Sequence, residues 1–336
     1  PVPSPRTRAA ASQSDLPTQL QDLRVNIVPD ALLGYGAPTP IFVNGLPSTF
    51  SRRLSGAAAD FFYSGVFRYD DLRIGFLRIP SFAPANQAQA LARFNAEIAF
   101  FRANTDGLII DEMRNPGGNA CYLEQLVSRL TTEPFRTLGW ALRPWPLLPY
   151  YTNTLISAKS AGAPFTEIAQ HEANLDEIRA ANREGRLSKP LPLCGTPGLT
   201  VQPFRNAARE AIGYDKPIMV LTDEFSTSAG DAFPAVLQDN GRALIYGYRT
   251  NGAGGNVVDL PAGTYSEANT RMTLGLMVRN GDVVTDDYPS APYVENIGVR
   301  PDLTVDYMTK ENLLNNGATF VTRFTEAMAE YIRQRR

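Results

Sequence analysis

The sequence is short of the side chains on which many metal and hydrolytic sites depend. Its 336 residues include one histidine, His171, and two cysteines, Cys121 and Cys194. Cysteine-rich zinc modules and two-histidine zinc motifs are therefore excluded, and we expect no metal site. The two cysteines could form one disulfide in an oxidising compartment or remain a pair of buried thiols.

The sequence also lacks an excess of positive charge and a long apolar run. Lysine and arginine together number 32 against 34 aspartates and glutamates, a net charge of −2, which argues against a nucleic-acid partner. No run approaches the roughly 20 apolar residues that span a bilayer, so we expect a soluble protein without a membrane span. Hydrophobic residues make up 43% of the chain, enough for a sizeable core.

The composition divides the chain into a lead-in and a core. Residues 1–60 are rich in proline and glycine with weak periodicity, which predicts a loop-rich N-terminal lead-in. We expect a peptidase-sized core over 61–336, with an insertion at about 134–212. The first fourteen residues resemble a flexible, trimmed leader, and from them we expect an exported protein, periplasmic or extracellular.

Hydrophobic patterning predicts an α/β fold with layered helices and strands. Two units of buried strand, glycine- or serine-containing turn and helix stand about 110 residues apart. The predicted elements are a hairpin at Val66–Arg68 and Leu72–Ile79, helices at 86–104, 120–130, 165–185, 229–239 and 318–335, and strands at 107–113, 217–222, 243–248, 272–279, 298–299 and 303–307.

The first turn, Asn115-Pro116-Gly117-Gly118, lies between a buried strand and a helix. Glycine leaves the neighbouring backbone N–H groups unshielded, and amides at the start of a helix favour an anion or a developing oxyanion. The alternative is a tight turn that only reverses the chain.

The second turn, 226–231, has the sequence Ser-Thr-Ser-Ala-Gly-Asp and the same setting. A serine at such an elbow presents its hydroxyl at the start of a helix, and the N–H of the next residue, Ala229, can face an oxyanion. The alternative is that Ser228 or Ser226 only caps the helix, since serine is a preferred N-cap residue.

Four motifs in order resemble a known family. They are 72–82 (LRIGFLRIPSF), 107–118 (GLIIDEMRNPGG), 216–247 (beginning KPIMVLTDEFSTSAGD) and 294–302 (VENIGVRPD). Over about 60–310 the chain resembles the C-terminal processing peptidase and tricorn-core superfamily of serine peptidases. The resemblance implies a ββα spiral core of the Clp protease and crotonase type, Ser228 as nucleophile, and an oxyanion hole from Gly117 or Gly118 together with Ala229.

The residue at position 253 separates the two branches of that superfamily. The Ser-Lys branch carries its lysine in a Gly-Lys-Gly segment, where this chain has Gly252-Ala253-Gly254. Alanine cannot accept a proton, so the sequence is closer to the tricorn-like and chlamydial protease-like activity factor branch. That branch resembles a Ser-His-Glu hydrolase, and its glutamate corresponds to Glu295. Alternatively, Glu295 is a surface charge or pairs with Arg300.

The histidine of that triad has no clear counterpart. No histidine occurs in residues 1–170, and the polar neighbours of His171 indicate a solvated face of a helix. His171 is a candidate for the base, but we expect the histidine to lie upstream of Pro1 or in a second chain. Asp231 is expected to cap its helix rather than act as a base.

The sequence thus predicts a serine endopeptidase of the tail-specific or tricorn-like type, acting on peptides or unfolded proteins by acyl transfer and needing no cofactor. Its own N-terminal segment or a second chain would supply the histidine. One rival is a catalytically inactive relative that binds peptides. The other is a crotonase-like acyl-CoA enzyme, although no basic cluster for the CoA phosphates is present.

Overall fold

The computed structural model of the chain describes residues 34–194, 198–261, 269–283 and 291–335. The chain divides into a short unit, Pro1–Tyr35, and a main unit, Gly36–Arg336. Only residues 34 and 35 of the short unit are described, so the expected leader at 1–14 and much of the lead-in at 1–60 lie outside the described residues. The helices and strands of the described residues all belong to the main unit.

The described helices and strands alternate along most of the main unit. The strands are β1 Ser51–Ser55, β2 Tyr63–Tyr69, β3 Leu72–Arg78, β4 Gly107–Asp111, β5 Phe135–Arg136, β6 Gly139–Leu142, β7 Leu191–Pro192, β8 Thr200–Val201, β9 Ile218–Thr222, β10 Ala243–Gly247, β11 Gly255–Pro261, β12 Asn269–Val283, β13 Ala291–Tyr293 and β14 Leu303–Thr304. The helices are α1 Gln87–Asn104, α2 Ala120–Val127, α3 Leu148–Ser160, α4 Phe165–Glu184, α5 Ala229–Asp239, α6 Lys310–Leu314 and α7 Ala318–Gln334. Short 3-10 turns occur at Val43–Gly45 and Trp145–Leu147.

A seven-stranded sheet forms the centre of the molecule, in the order β1-β2-β3-β4-β9-β10-β14. The first three strands pair antiparallel, and β3, β4, β9, β10 and β14 pair parallel. All five residues of β4 and of β9 are buried. Strands buried on both faces are expected to be largely apolar, as these are.

Helices cover both faces of the central sheet. Leu108 and Ile110 of β4 point to one face and pack in the cluster that includes α1, α2 and α5, whereas Ile109 points to the other face and packs with α7. This follows from the two-residue period of a strand, which sends neighbouring side chains to opposite faces. The resulting helix–sheet–helix layers place the ends of β4 and β9 side by side.

A smaller sheet and two helices form a peripheral region. Strands β11, β12, β6 and β7 are neighbours in that order, and β13 also pairs with β12. Helices α3 and α4 lie in the chain between β6 and β7 and pack against each other. A further two-stranded sheet joins β5 and β8. The peripheral region is joined to the start of α2 and the end of α5 by side-chain contacts.

The structure confirms the α/β class and most of the predicted elements. The hairpin is present, α1 begins after the N-cap Asn86, whose side chain accepts from Gln89 N at 3.1 Å, and α5 has the predicted bounds. The predicted strand at 298–299 is wrong: Val299 N donates to Thr250 Oγ1, 2.7 Å away, instead of joining a sheet. Helix α2 ends at Val127, three residues early. The elements that the sequence did not predict are β1, β5, β6, β7, β8, β11, β13, α3 and α6.

Candidate active site

Ser228 occupies a strained elbow between β9 and α5. Its φ is 57° and its ψ is −111°, a conformation that non-glycine residues rarely adopt. Backbone strain of this kind persists where surrounding contacts impose it, and it is a feature of nucleophile elbows. The Ser228 side chain is partly exposed, and Ser228 N donates to Asp231 Oδ2 at 2.7 Å. Ser226 differs, because its buried hydroxyl donates to Glu112 O at 3.1 Å.

The turn at 115–118 lies directly against this elbow. Thr227 N donates to Asn115 O at 2.9 Å. A Cβ placed on Gly117, whose φ is +85°, would lie 2.8 Å from Ser228 Cβ and 2.9 Å from Ala229 N. Only glycine fits a position with positive φ and such close approach. The two turns that the sequence singled out therefore meet at one point of the sheet.

The two glycines of the turn differ in what their amides do. Gly117 N donates to Asn115 Oδ1 at 2.8 Å, so it is already paired. Gly118 lies opposite Phe82 in an isolated parallel β-bridge. The two hydrogen bonds of this bridge belong to the residues on either side of Gly118: Phe82 N donates to Gly117 O, and Asn119 N donates to Phe82 O. Within the described ranges, neither Gly118 N nor Ala229 N has a protein acceptor. These two amides are the ones available to a ligand.

Asp231 connects the elbow to the segment at 252–255. Its Oδ2 accepts from Ser228 N and from Ala253 N at 3.1 Å, and its Oδ1 accepts from Gly252 N at 2.7 Å. It therefore caps α5 as expected and holds a second loop as well. Burial raises the pKa of Asp231 to about 6, against the opposing effect of these donors.

Two further carboxyl groups lie beneath the elbow. Glu112 is fully buried, and neither of its carboxyl oxygens has a hydrogen-bond partner among the described residues. Burial, followed by the nearby carboxyl groups of Asp223 and Asp231, raises the pKa of Glu112 well above its usual value. Burial also raises the pKa of Asp223 to about 6. The raised pKa means that the buried site favours the neutral form of the Glu112 carboxyl group over the charged form.

Glu295 lies in the turn after β13, next to the segment at 252–255. Asn296 N donates to Gly252 O at 2.6 Å, and a Cβ placed on Gly255 would lie 2.9 Å from Glu295 Oε2. Burial raises the pKa of Glu295. In the described part of the chain Glu295 forms no ion pair with Arg300, and its Oε2 is buried without a partner. The 252–255 segment thus passes from Asp231, at the elbow, to Glu295.

His171 is placed on α4, away from the elbow contacts. Its side chain is 20% exposed, less than a solvated face would give, and Nε2 lies 3.7 Å from Glu167 Oε1. It lines a cleft of about 390 Å³, together with Trp140, Tyr150, Tyr151, Thr154 and Asn174 of the peripheral region and Asn256 and Val257 of β11. We call this the distal cleft. Among the described residues no hydrogen bond or ion pair joins His171 to Ser228 or Glu295.

The two cysteines are joined in a disulfide. Cys121 is in the first turn of α2 and Cys194 follows β7; their Cα atoms are 5.0 Å apart and the S–S distance is 2.07 Å. Of the two possibilities that the sequence left open, the structure has the disulfide. The bond ties the wall of the distal cleft, of which Cys194 is part, to the helix that begins directly after the 115–118 turn.

The described ranges contain neither a metal-binding cluster nor a membrane-spanning helix. No group of three or more His, Cys, Asp or Glu side chains there is placed to hold a metal ion. Nor does that part of the chain contain a helix long and apolar enough to cross a bilayer.

A serine at a strained strand–helix elbow, next to two unpaired amides, has the architecture of a serine hydrolase site. Residues 73–138 and 156–305 match the profile of Peptidase family S41, which together is well over half of the chain. The chain belongs to peptidase family S41. The resemblance inferred from the four motifs is therefore confirmed, and family membership favours a serine peptidase over the acyl-CoA enzyme.

Curated relatives come from Chlamydia. The chain is 30% identical over 267 residues to a protein of Chlamydia trachomatis serovar D, covering 71% of this chain and 42% of the relative. It is 29% identical over 289 residues to an uncharacterized protein of Chlamydia muridarum, covering 77% of this chain and 45% of the relative. This chain thus spans less than half the length of these relatives.

Solved structures of mature CPAF are similar in fold. The structure of mature CPAF complexed with lactacystin has a TM-score of 0.70 at 25% identity, covering 94% of this chain and 63% of CPAF. A second structure of mature CPAF gives a TM-score of 0.71 at the same identity, covering 94% and 62%. A peptidase-like protein of Parabacteroides merdae, at 18% identity and a TM-score of 0.51, shares the fold.

Several residues that shape the site were not singled out from the sequence. Asn115 was expected only as a turn residue, yet its side chain bonds Gly117 N and Ile79 O. Glu112 follows a buried strand and gave no signal beyond its position in the chain. The second role of Asp231 depends on a loop 21 residues away, a contact that spacing cannot reveal.

Proposed function

We propose that this chain is the catalytic part of a serine endopeptidase that cleaves peptides or unfolded proteins by acyl transfer through Ser228. The observation that carries the proposal is the meeting of the Ser228 elbow with the 115–118 turn, where Gly118 N and Ala229 N are both unpaired among the described residues. Family membership supports a peptidase. Ser228 and Asp231 also form a capping box at the start of α5, but a simple cap does not require the strained backbone of Ser228, which supports a nucleophile.

In the proposed mechanism, Ser228 Oγ attacks the carbonyl carbon of the scissile bond. The charge that develops on the carbonyl oxygen is stabilised by the N–H groups of Gly118 and Ala229. We favour Gly118 over Gly117 as donor because Gly117 N is held by Asn115 Oδ1 at 2.8 Å. Removing one such donor typically lowers turnover by about 10²–10³-fold. The C–N bond then breaks, and the leaving amine takes the proton that Ser228 Oγ gave up. Water hydrolyses the acyl-enzyme, which releases the carboxylate product and restores the Ser228 hydroxyl.

A histidine takes the Ser228 proton, and Glu295 orients that histidine. The buried, unpartnered Oε2 of Glu295 is consistent with an acceptor that awaits a donor. Because Ala253 cannot serve as a base and His171 has no bond to Ser228 or Glu295 in the described part of the chain, we propose that the histidine is supplied by a segment outside this sequence, or by a second chain.

Labelling with a fluorophosphonate tests the nucleophile. We expect a label that maps to Ser228 and disappears in Ser228→Ala. The matched control is Ser226→Ala, a serine of the same turn whose hydroxyl is buried, and it should still be labelled. Added imidazole should raise the labelling rate, since it can act in place of the histidine that we propose to lie outside this sequence.

The outcomes separate the proposal from its rival. If His171→Asn lowers the rate and imidazole restores it, His171 is the base and the proposal of an external histidine is wrong. If no label appears with or without imidazole, while peptides still bind, the chain is the catalytically inactive peptide-binding relative.

A further inference from the structure

The distal cleft is a concave surface that the proposed chemistry leaves unused. Its apolar lining residues Leu142, Trp140 and Tyr151 belong to, or pack against, the small buried cluster of Leu142, Ile178 and Leu191. The polar residues that line the cleft are His171, Thr154, Asn174 and Asn256. No aspartate, glutamate, lysine or arginine lines it in the described part of the chain. Such a lining suits an uncharged side chain, because a charged one would lose its hydration without a partner.

The first path from the cleft to the elbow runs along the 252–257 segment. Ala253 N is bonded to Asp231, the residue that also caps Ser228 N, whereas Val257 lines the cleft. Four residues of extended chain span at most about 13 Å, at roughly 3.3 Å per residue. A substrate peptide running alongside in an extended form would therefore reach the cleft about four residues from the cleaved bond.

The second path runs through the disulfide. Gly118 N is one of the two proposed oxyanion donors, and Cys121 lies three residues further along the chain. The Cα atoms of Cys121 and Cys194 are 5.0 Å apart, and Cys194 lines the cleft. Short paths thus connect the elbow and the 115–118 turn to two residues that line the cleft, Val257 and Cys194.

We propose that the distal cleft is a substrate subsite that takes an aromatic or large aliphatic side chain of the polypeptide, about four residues from the bond attacked by Ser228. Trp140, Tyr150 and Tyr151 provide the aromatic wall. The inference rests on the proposed function for the identity of the ligand, but its test measures binding and needs no catalysis.

The test uses the fluorescence of Trp140. The chain has two tryptophans, and the other, Trp145, is 74% exposed, so Trp145→Phe leaves Trp140 as the only reporter. Combined with Ser228→Ala, this variant cannot cleave its ligand. The ligands are blocked ten-residue peptides of glycine, serine and alanine that carry one phenylalanine at each position in turn, and the same set with glutamate.

We expect phenylalanine peptides to shift the Trp140 emission and to bind at least about tenfold more tightly than glutamate peptides. In the same background, Val257→Asp should abolish this preference. Val257 is 52% exposed, so the variant should fold. Met272→Asp is the matched control, because Met272 is 45% exposed on the neighbouring strand β12 and does not line the cleft.

The proposal is overturned if the two peptide sets bind equally or if Met272→Asp acts as strongly as Val257→Asp. Failure of the subsite is distinguishable from failure of the catalytic proposal. Labelling of Ser228 without selective binding would contradict only the subsite proposal. Selective binding at Trp140 without labelling would support the subsite and contradict only the catalytic proposal.

Discussion

The helix that follows the elbow at the central sheet has a much larger share of buried residues than the helices of the peripheral region. In α5, which carries the elbow, the nine residues 229–237 are all buried. In α4, of twenty residues, only Leu175, Ile178 and Ala181 are buried, and in α3 only Ala158 is. The proposed chemistry therefore lies on a tightly packed layer, whereas the proposed side-chain recognition lies on helices with little burial of their own.

This difference has a physical reason. Acyl transfer depends on backbone amides held in place, and buried strands on both sides hold them. Recognition of a side chain needs only a surface that accepts it. The peripheral region gains a covalent tie to the central layer through Cys121 and Cys194, which compensates in part for its small core.

Of the predicted effects, the largest is the difference in Ser228 labelling between two glycine-to-alanine variants, one in each region. Gly117 and Gly162 both have positive φ, +85° and +67°. A Cβ at 117 would lie 2.5 Å from Thr227 O, whereas nothing lies within 4 Å at 162. Gly117→Ala should displace Ala229 N and lower the rate of fluorophosphonate labelling about 10²–10³-fold.

Gly162→Ala is the control, because it has the same backbone strain without the close contact. It should cost about 1–2 kcal/mol of unfolding free energy and leave labelling unchanged. Equal labelling rates for the two variants would show that the 115–118 turn plays no part in the chemistry.

The difference in burial between the two regions also explains which elements could be predicted from the sequence. The β4 and β9 strands, their turns and α5 were predictable because continuous burial gives apolar runs that end at glycine or serine. Helix α3 was not predicted because Pro146 lies in the 3-10 turn just before it and Pro149 in its first turn. Proline suits a first turn but also indicates a loop. The distal cleft could not be foreseen, because it is formed by elements up to 117 residues apart, from Trp140 to Val257.

Removal of the disulfide should loosen the peripheral region more than the elbow. The bond closes a loop of 73 residues, and its loss in Cys121→Ser/Cys194→Ser should lower stability by about 2–3 kcal/mol. We expect limited proteolysis to cut the variant first within α3 and α4. Ser228 labelling should change only a few-fold, because the elbow is held by Asp231 and Asn115.

Treatment of the unaltered protein with a reducing agent should reproduce the cleavage pattern and provides the control. Faster cuts in β4 or β9 than in α4 would contradict the separation of the two regions.

The smallest expected effect is on the pH dependence of stability. It compares two buried glutamates, one without a hydrogen-bond partner among the described residues and one with a partner. Glu112, beneath the elbow, has no partner for either carboxyl oxygen among the described residues, whereas Glu124 of α2 accepts from Thr137 Oγ1 at 2.7 Å. Burial is the main cause that raises the pKa of both groups. The folded protein therefore binds each proton more tightly than the unfolded chain, and stability is lost as pH rises from the unfolded pKa toward the raised folded value.

Glu112→Gln removes this loss, since glutamine does not ionise. Its melting temperature should match that of the unaltered protein near pH 4.5 and exceed it by a few degrees at pH 8. Glu124→Gln should show a smaller rise with pH, because the Thr137 hydroxyl already stabilises the charged form. Thermal unfolding of the three proteins between pH 4.5 and 8 measures the difference. A melting temperature of Glu112→Gln that falls relative to the unaltered protein as pH rises would mean that Glu112 is ionised and paired in the folded state.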